Sequence, residues 1–93
     1  KLKKGTEAII LLDEKGEKVT TEKFKHLLFG TSFSKILFVL GGTDGFSEEI
    51  RNLSNKQISL SKMTLTHSFA AIILLEQIYR SVTIKINHPY HRA

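Results

Sequence analysis

The sequence contains no cysteine and a single proline. Without cysteine there is no disulfide framework, no thiolate nucleophile and no sulfur-ligated metal. One proline in 93 residues, with 41% apolar content, describes a chain that folds rather than a disordered segment. Long hydrophobic runs are missing too, since the strongest, residues 69–75 (FAAIILL), is far too short to cross a bilayer. The opening KLKK leads into a charged strand entry, unlike a secretory leader with its small-residue cleavage site. A cytoplasmic setting without membrane contact is expected. Residues 1–93 make one small domain, which buries a limited share of its surface and gains stability from a partner chain.

Acidic residues are scarce in the second half. Residues 1–50 balance eight Lys/Arg against eight Asp/Glu. Residues 51–93 set Arg51, Lys56, Lys62, Arg80, Lys85 and Arg92 against Glu76 alone, so the whole net charge of +5 lies there. With His88, Tyr90 and His91 near its end, such a half points to a polyanionic partner, RNA first. The bland alternative is an ordinary basic surface.

What is present is organised around residues 36–46, ILFVLGGTDGF. Five apolar residues in a row are too few for a helix and suit a strand covered on both faces, the habit of a parallel sheet. Gly41 and Gly42 then turn the backbone out of the sheet, followed by Thr43, Asp44 and Gly45. In an open α/β sheet, ligands sit just past the carboxyl ends of strands, where glycines allow close approach. By itself the pattern also fits a plain strand-to-helix turn.

Residues 7–12 (EAIILL) form a second buried-strand candidate, and 13–18 a charged turn pivoting on Gly16. Thr20 or Thr21 caps a short helix with Phe24, Leu27 and Leu28 on one face, ended by Gly30. A right-handed crossover makes the two strands parallel. Ser47 caps a second short helix whose Ile50 and Leu53 face inward. Residues 57–60 (QISL) read as a third strand, 61–66 as a loop, and Thr66 as the cap of the longest helix. That helix is apolar on nearly every side and so must be covered on nearly every side, which points to a symmetric dimer. Alternating VTIKI at 82–86 predicts fraying into an extended segment. The closing NHPYHR carries two histidines, a tyrosine and an arginine. Pro89 between His88 and His91, with no nearby carboxylate, argues against a metal site, and contact with phosphate and bases suits these side chains better.

Three blocks together, LFVLGGTDGF (37–46), ISLSKMTLTH with LLEQIYR (58–67 and 74–80), and NHPYHR (87–92), resemble the RlmH family. These are SPOUT-class methyltransferases that modify N3 of a pseudouridine in bacterial large-subunit rRNA. The resemblance runs from about Glu7 to the end. It implies an α/β fold: an open parallel sheet flanked by helices, with a C-terminal trefoil knot and a shortened amino end. It further implies S-adenosylmethionine held by three loops, a homodimer, and the assembled ribosome as substrate. By position, the cofactor residues are Leu12, Gly42, Ser61, Lys62, Met63, Thr64, Leu65 and Thr66. Tyr90, His91 and Arg92 take the catalytic positions, and Arg80, His88 and Arg92 the RNA side.

The chain departs from the family pattern in three places. Family members are longer at the amino end by a strand, a helix and a further strand. Where they carry an arginine early in the long helix, this chain has Ala71, and where they carry proline before the loop histidine it has Thr66. The short amino end and Ala71 favour a second reading, a relative that keeps dimerisation and RNA or cofactor binding without catalysis. A third, an unrelated nucleotide-binding module using the glycine turn, leaves NHPYHR without a purpose.

Overall fold

A computed structural model describes residues 7–41 and 45–91. The strand β1 (Glu7–Lys18) is the one on which the others align. Its apolar first half is covered, with Ala8, Ile10 and Leu11 fully buried. On one side β2 (Lys35–Leu40) pairs with it in parallel, from Glu7↔Lys35 to Leu12↔Leu40. On the other, β3 (Lys56–Ser59) pairs in parallel from Ile10↔Lys56 to Leu12↔Ile58, giving the order β2-β1-β3. Asn55 sets this register, because its main-chain N–H donates to the Ile9 carbonyl at 2.8 Å and its Oδ1 accepts from the Ile9 N–H at 2.7 Å. The consequence for function is that Leu12, Leu40 and Ile58 leave the sheet at one edge.

Four expectations from the sequence change here. Residues 36–40 are not covered on both faces. Among the described residues β2 is an edge strand, with Leu37 59% exposed, and β1 takes the covered place. Composition reports how apolar a strand is, while strand order is set by pairing between distant segments. Nor is the charged stretch 13–18 a simple turn. The chain leaves the ladder after Leu12 and rejoins it, so that Leu12 and Glu17 both face Ile58.

The short helices differ in how they are held. Helix α1 (Thr21–Phe29) is capped by Thr20, whose hydroxyl accepts from the Lys23 N–H at 3.1 Å, and it buries Phe24 and Leu27. Phe24 stacks on Phe38 with ring centroids 5.7 Å apart. With Ala8, Ile10, Ile58 and Leu74 these side chains make the core. Each large one stabilises the fold by about 1.5–3 kcal/mol. Helix α2 (Glu48–Leu53) is capped by Ser47 as expected, yet Ile50 and Leu53 do not face inward. They are 42% and 70% exposed, and no residue of α2 is buried. Six residues on the rim are fixed by polar ties rather than by an apolar face.

Helix α3 (His67–Lys85), capped by Thr66, runs through the β-branched stretch expected to fray. Its end is closed by a left-handed Asn87 at φ 62°, with the His88 N–H donating to the Thr83 carbonyl at 2.8 Å and the Asn87 N–H to the Ile84 carbonyl at 3.1 Å. That pair of bonds satisfies the last carbonyls and outweighs the weak helix preference of valine, threonine and isoleucine. Leu74, Ser81 and Thr83 are buried, while Phe69, Ile72, Leu75, Tyr79 and Val82 are exposed. No helix among the described residues is long and apolar enough to cross a membrane.

Gly16 is where β1 rejoins β3. A Cβ there would stand 2.7–2.8 Å from the backbone of Gln57 and Ile58, atoms that cannot move without breaking the ladder. Gly16→Ala is therefore expected to cost about 1–3 kcal/mol in urea denaturation, and unchanged stability would contradict this close approach.

Candidate functional site

The shared edge of the three strands opens into a cleft of about 550 Å³. Its first wall is the exit of β1, Leu12 to Lys15. The second is the turn after β2, where Gly41 lets the Phe46 ring approach to within 2.9 Å of where a Cβ would stand. Gly45 closes that turn at φ 77°, a left-handed conformation that glycine adopts at no steric cost. The third wall is the loop after β3, shaped by hydroxyls. Ser59 Oγ donates to the Ser61 carbonyl at 2.7 Å, and Ser61 Oγ accepts from the Met63 N–H at 2.9 Å. His67, opening α3, ties the second wall to the third through Nδ1, 3.3 Å from the Gly41 carbonyl. A carbonyl only accepts, so that nitrogen carries the proton.

Of the residues assigned to the cofactor, Leu12, Ser61, Met63, Thr64, Leu65 and Thr66 line this cleft. Lys62 is exposed and is not among the lining residues, and Gly42 lies outside the described residues. The cleft also holds Asp13, Phe46, Arg51 and His67, which were not singled out. Asp13 and Arg51 gave no local signal, because a carboxylate inside a charge run reads as solvated. Its side chain is only 4% exposed and pairs with Arg51 at 2.8 Å. Lys56 likewise pairs with Glu17 at 3.0 Å, which holds the Glu17 carboxyl below its usual range. Part of the basic half is thus matched by acids from the first half.

The closing segment gathers on α3 around Glu76. Glu76 Oε2 accepts from Arg80 Nη2 at 2.6 Å, from Arg80 Nε at 3.1 Å and from the Tyr90 hydroxyl at 2.9 Å. Its other oxygen accepts from Gln77 Nε2 at 2.9 Å, and Gln77 Oε1 in turn accepts from the Thr21 hydroxyl at 2.8 Å. Tyr79 meets Tyr90 edge-on with centroids 4.7 Å apart, and the Arg80 guanidinium lies 5.0 Å from the Tyr90 ring centre. Arg80 Nη1 reaches His91 Nδ1 at 3.0 Å. Arginine only donates, so this nitrogen accepts and the imidazole proton sits on Nε2.

The charges follow from these contacts. Hydrogen bonding from Arg80 holds the Glu76 carboxyl below its usual range, and hydrogen bonding to Glu76 pushes the Tyr90 phenol up. His88 is exposed, and its Nδ1 accepts from the Tyr90 N–H at 3.2 Å. Arg92 lies outside the described residues. The structure therefore brings Arg80, Tyr90 and His91 together, but none of them lines the cleft of its own chain. Ala70 does line it, and Arg80 lies ten residues further along α3, roughly 15 Å away. Glu76 was missed in the sequence, although a signal existed. It is the lone acid of residues 51–93, four residues before an arginine.

Residues 1–91 match a family profile described as "Predicted SPOUT methyltransferase". Similar curated proteins are named ribosomal RNA large subunit methyltransferase H. The protein from Dictyoglomus thermophilum is 51% identical over 88 residues, covering 91% of this chain and 58% of that protein. The one from Campylobacter lari is 48% identical over 83 residues, covering 89% and 54%. The one from Prochlorococcus marinus is 44% identical over 89 residues, covering 96% and 61%. The chain thus spans somewhat more than half the length of the curated relatives it matches.

Because Glu76 has a lowered value in the folded chain, its contribution to docking the closing segment is present above 4.5, its ordinary value, and is lost as pH falls through the lowered one. Tyr90, followed by proton NMR, is expected to stay docked at neutral pH and to release as the pH falls into the acid range. In a Tyr79→Phe background, Glu76→Gln should let the Tyr90 phenol titrate closer to its ordinary 10.0. Identical titrations with and without the substitution would contradict the Glu76 contact.

Proposed function

Because the chain belongs to the SPOUT methyltransferase family, we propose that it acts as a homodimeric, S-adenosylmethionine-dependent methyltransferase on N3 of a pseudouridine in large-subunit rRNA. The substrate is the assembled ribosome, which sets the protein in the cytoplasm. The observation that carries this reading is the convergence of three strand-end loops on one cleft of about 550 Å³. That volume lies within the range of small-ligand sites, roughly 300–1,000 Å³. Its walls are rich in backbone and hydroxyl groups, as an adenosyl moiety requires. Leu12, Gly42 and the loop from Ser61 through Lys62, Met63, Thr64 and Leu65 to Thr66 would hold the cofactor, which supplies an electrophilic methyl group on a sulfonium. The C-terminal knot implied by the family belongs to the same proposal.

The closing segment acts in the partner's cleft. Phe69, Ile72, Leu75, Tyr79, Val82 and Ile86, each 38–66% exposed, form an apolar stripe along α3 that pairing across a two-fold axis would bury. A segment that does not line its own cleft is then delivered to that of the other copy. Methyl transfer is an in-line displacement, so alignment of the two substrates supplies much of the rate. Tyr90, whose single hydroxyl proton is already given to Glu76, anchors the segment rather than serving as the base. His91, with Nδ1 engaged by Arg80, presents an Nε2–H donor. Arg92 adds positive charge toward the negative charge that develops on the target imide as its N3 proton passes to water. Arg80 and His88 face the RNA.

Ala71 favours one alternative, a chain that dimerises and binds RNA or cofactor without transferring methyl groups. Ribosomes lacking this modification, incubated with the protein and labelled S-adenosylmethionine, decide between the two. The proposal expects label in large-subunit rRNA. No label, with a full-length relative active in parallel, contradicts it. Leu75→Lys is expected to give a monomer in sedimentation velocity and to abolish transfer.

A further inference from the structure

We propose that Arg51 and Asp13 are positioning residues that together set the width of the cleft. This inference rests on reading the cleft as the methyl-donor site. The Arg51 side chain touches two walls at once. Its Nη2 lies 2.8 Å from Asp13 Oδ2 at the exit of β1, and its Nε donates to the Phe46 carbonyl of the glycine turn at 3.2 Å. The Asp13 contact is a charge pair more than a directed hydrogen bond. Asp13 Oδ1 also accepts from the Lys15 N–H at 3.1 Å, which shapes the excursion of β1 away from the ladder. At its backbone end, the Arg51 carbonyl accepts from Ser54 Oγ at 2.8 Å and Gln57 Nε2 at 3.3 Å, joining the start of β3 to the same residue.

Burial explains why so much depends on this one side chain. Helix α2 contributes no buried residue, so apolar packing does not fix the turn that precedes it. The Arg51 and Asp13 side chains are 28% and 4% exposed, and shielding from water strengthens the attraction between their charges. A Cβ built on Gly45, at φ 77°, would stand 3.9 Å from Arg51 Nη2, so the guanidinium flanks the turn at that point. The pair is thus a brace between the β1 exit and the glycine turn, outside the core of α1 and the sheet. Loss of the brace should alter ligand affinity more than global stability.

Two variants test it, with two readouts. Arg51→Lys keeps a charge for Asp13 but cannot also reach the Phe46 carbonyl. Asp13→Asn keeps the acceptor for Lys15 but removes the charge. Calorimetry with S-adenosylhomocysteine is expected to show affinity weaker by about tenfold in each, the scale of one hydrogen bond to a charged group. Amide hydrogen exchange at Gly45 and Phe46, measured without ligand, should speed up by a similar factor of about ten, while Tm stays close to that of the unaltered chain. Unchanged affinity and unchanged exchange in both variants would overturn the brace. Failure of the unaltered chain to bind ligand would overturn the donor reading instead. The exchange rates then decide the brace alone, faster in the variants if it holds and unchanged if it does not. Should Asp13→Asn fail to fold, Arg51→Lys carries both measurements.

Discussion

The structure depends on one constraint, the parallel register of β1 with both of its neighbours. Leu12 faces Leu40 on one side and Ile58 on the other, so three separate segments must turn out of the sheet at the same edge. Antiparallel pairing would send alternate loops to opposite ends. Everything assigned to the cleft follows from this. The glycine turn, the hydroxyl-rich loop before α3 and the excursion of β1 are neighbours because their strands run the same way. Asn55 fixes that register at Ile9, and Gly16 keeps the later part of β1 close enough to rejoin it.

A second constraint is the shortage of covering surface. The core uses one face of α1, the middle of the sheet and Leu74, and leaves the apolar stripe of α3 bare along with Leu37 on β2. Exposed patches of this kind mark places where other chain is meant to pack. The stripe and the closing segment lie on the same helix, joined by the Tyr79–Tyr90 contact. In the proposed dimer, burial of the stripe and placement of the tail are therefore one event. Glu76 makes that event specific, because a single carboxylate orders Arg80 and Tyr90 directly and, through Arg80, His91.

Much of this was legible in the sequence where the physics is local. Thr20, Ser47 and Thr66 were readable as caps because a cap needs only a side-chain oxygen and an N–H three residues on. The end of β2 was readable as well, since its apolar run stops at glycine, whereas β1 was expected to stop at Leu12 and runs on to Lys18. Strand order was not readable, because it depends on pairings between residues far apart, and so β2 was given the place that β1 occupies. The exposed face of α2 was hidden for a related reason. Ile50 and Leu53 have helical spacing, but a helix of six residues goes where Arg51 is anchored. The closure of α3 turned on Asn87 accepting a left-handed conformation, which a β-branched run beforehand disguised. In the site, the loop residues emerged from their family pattern, whereas Asp13 and Glu76 became visible only with their arginines beside them.

The central claim is that the cleft at the common strand edge receives the methyl donor. Titration of isotopically labelled protein with S-adenosylmethionine, followed by amide chemical shifts, tests it most directly. The account predicts shifts at Leu12, Gly41, Leu65 and His67, with Val19, Leu27 and Phe33 beside α1 unmoved. No shifts at millimolar donor, or shifts centred on α1, would contradict it.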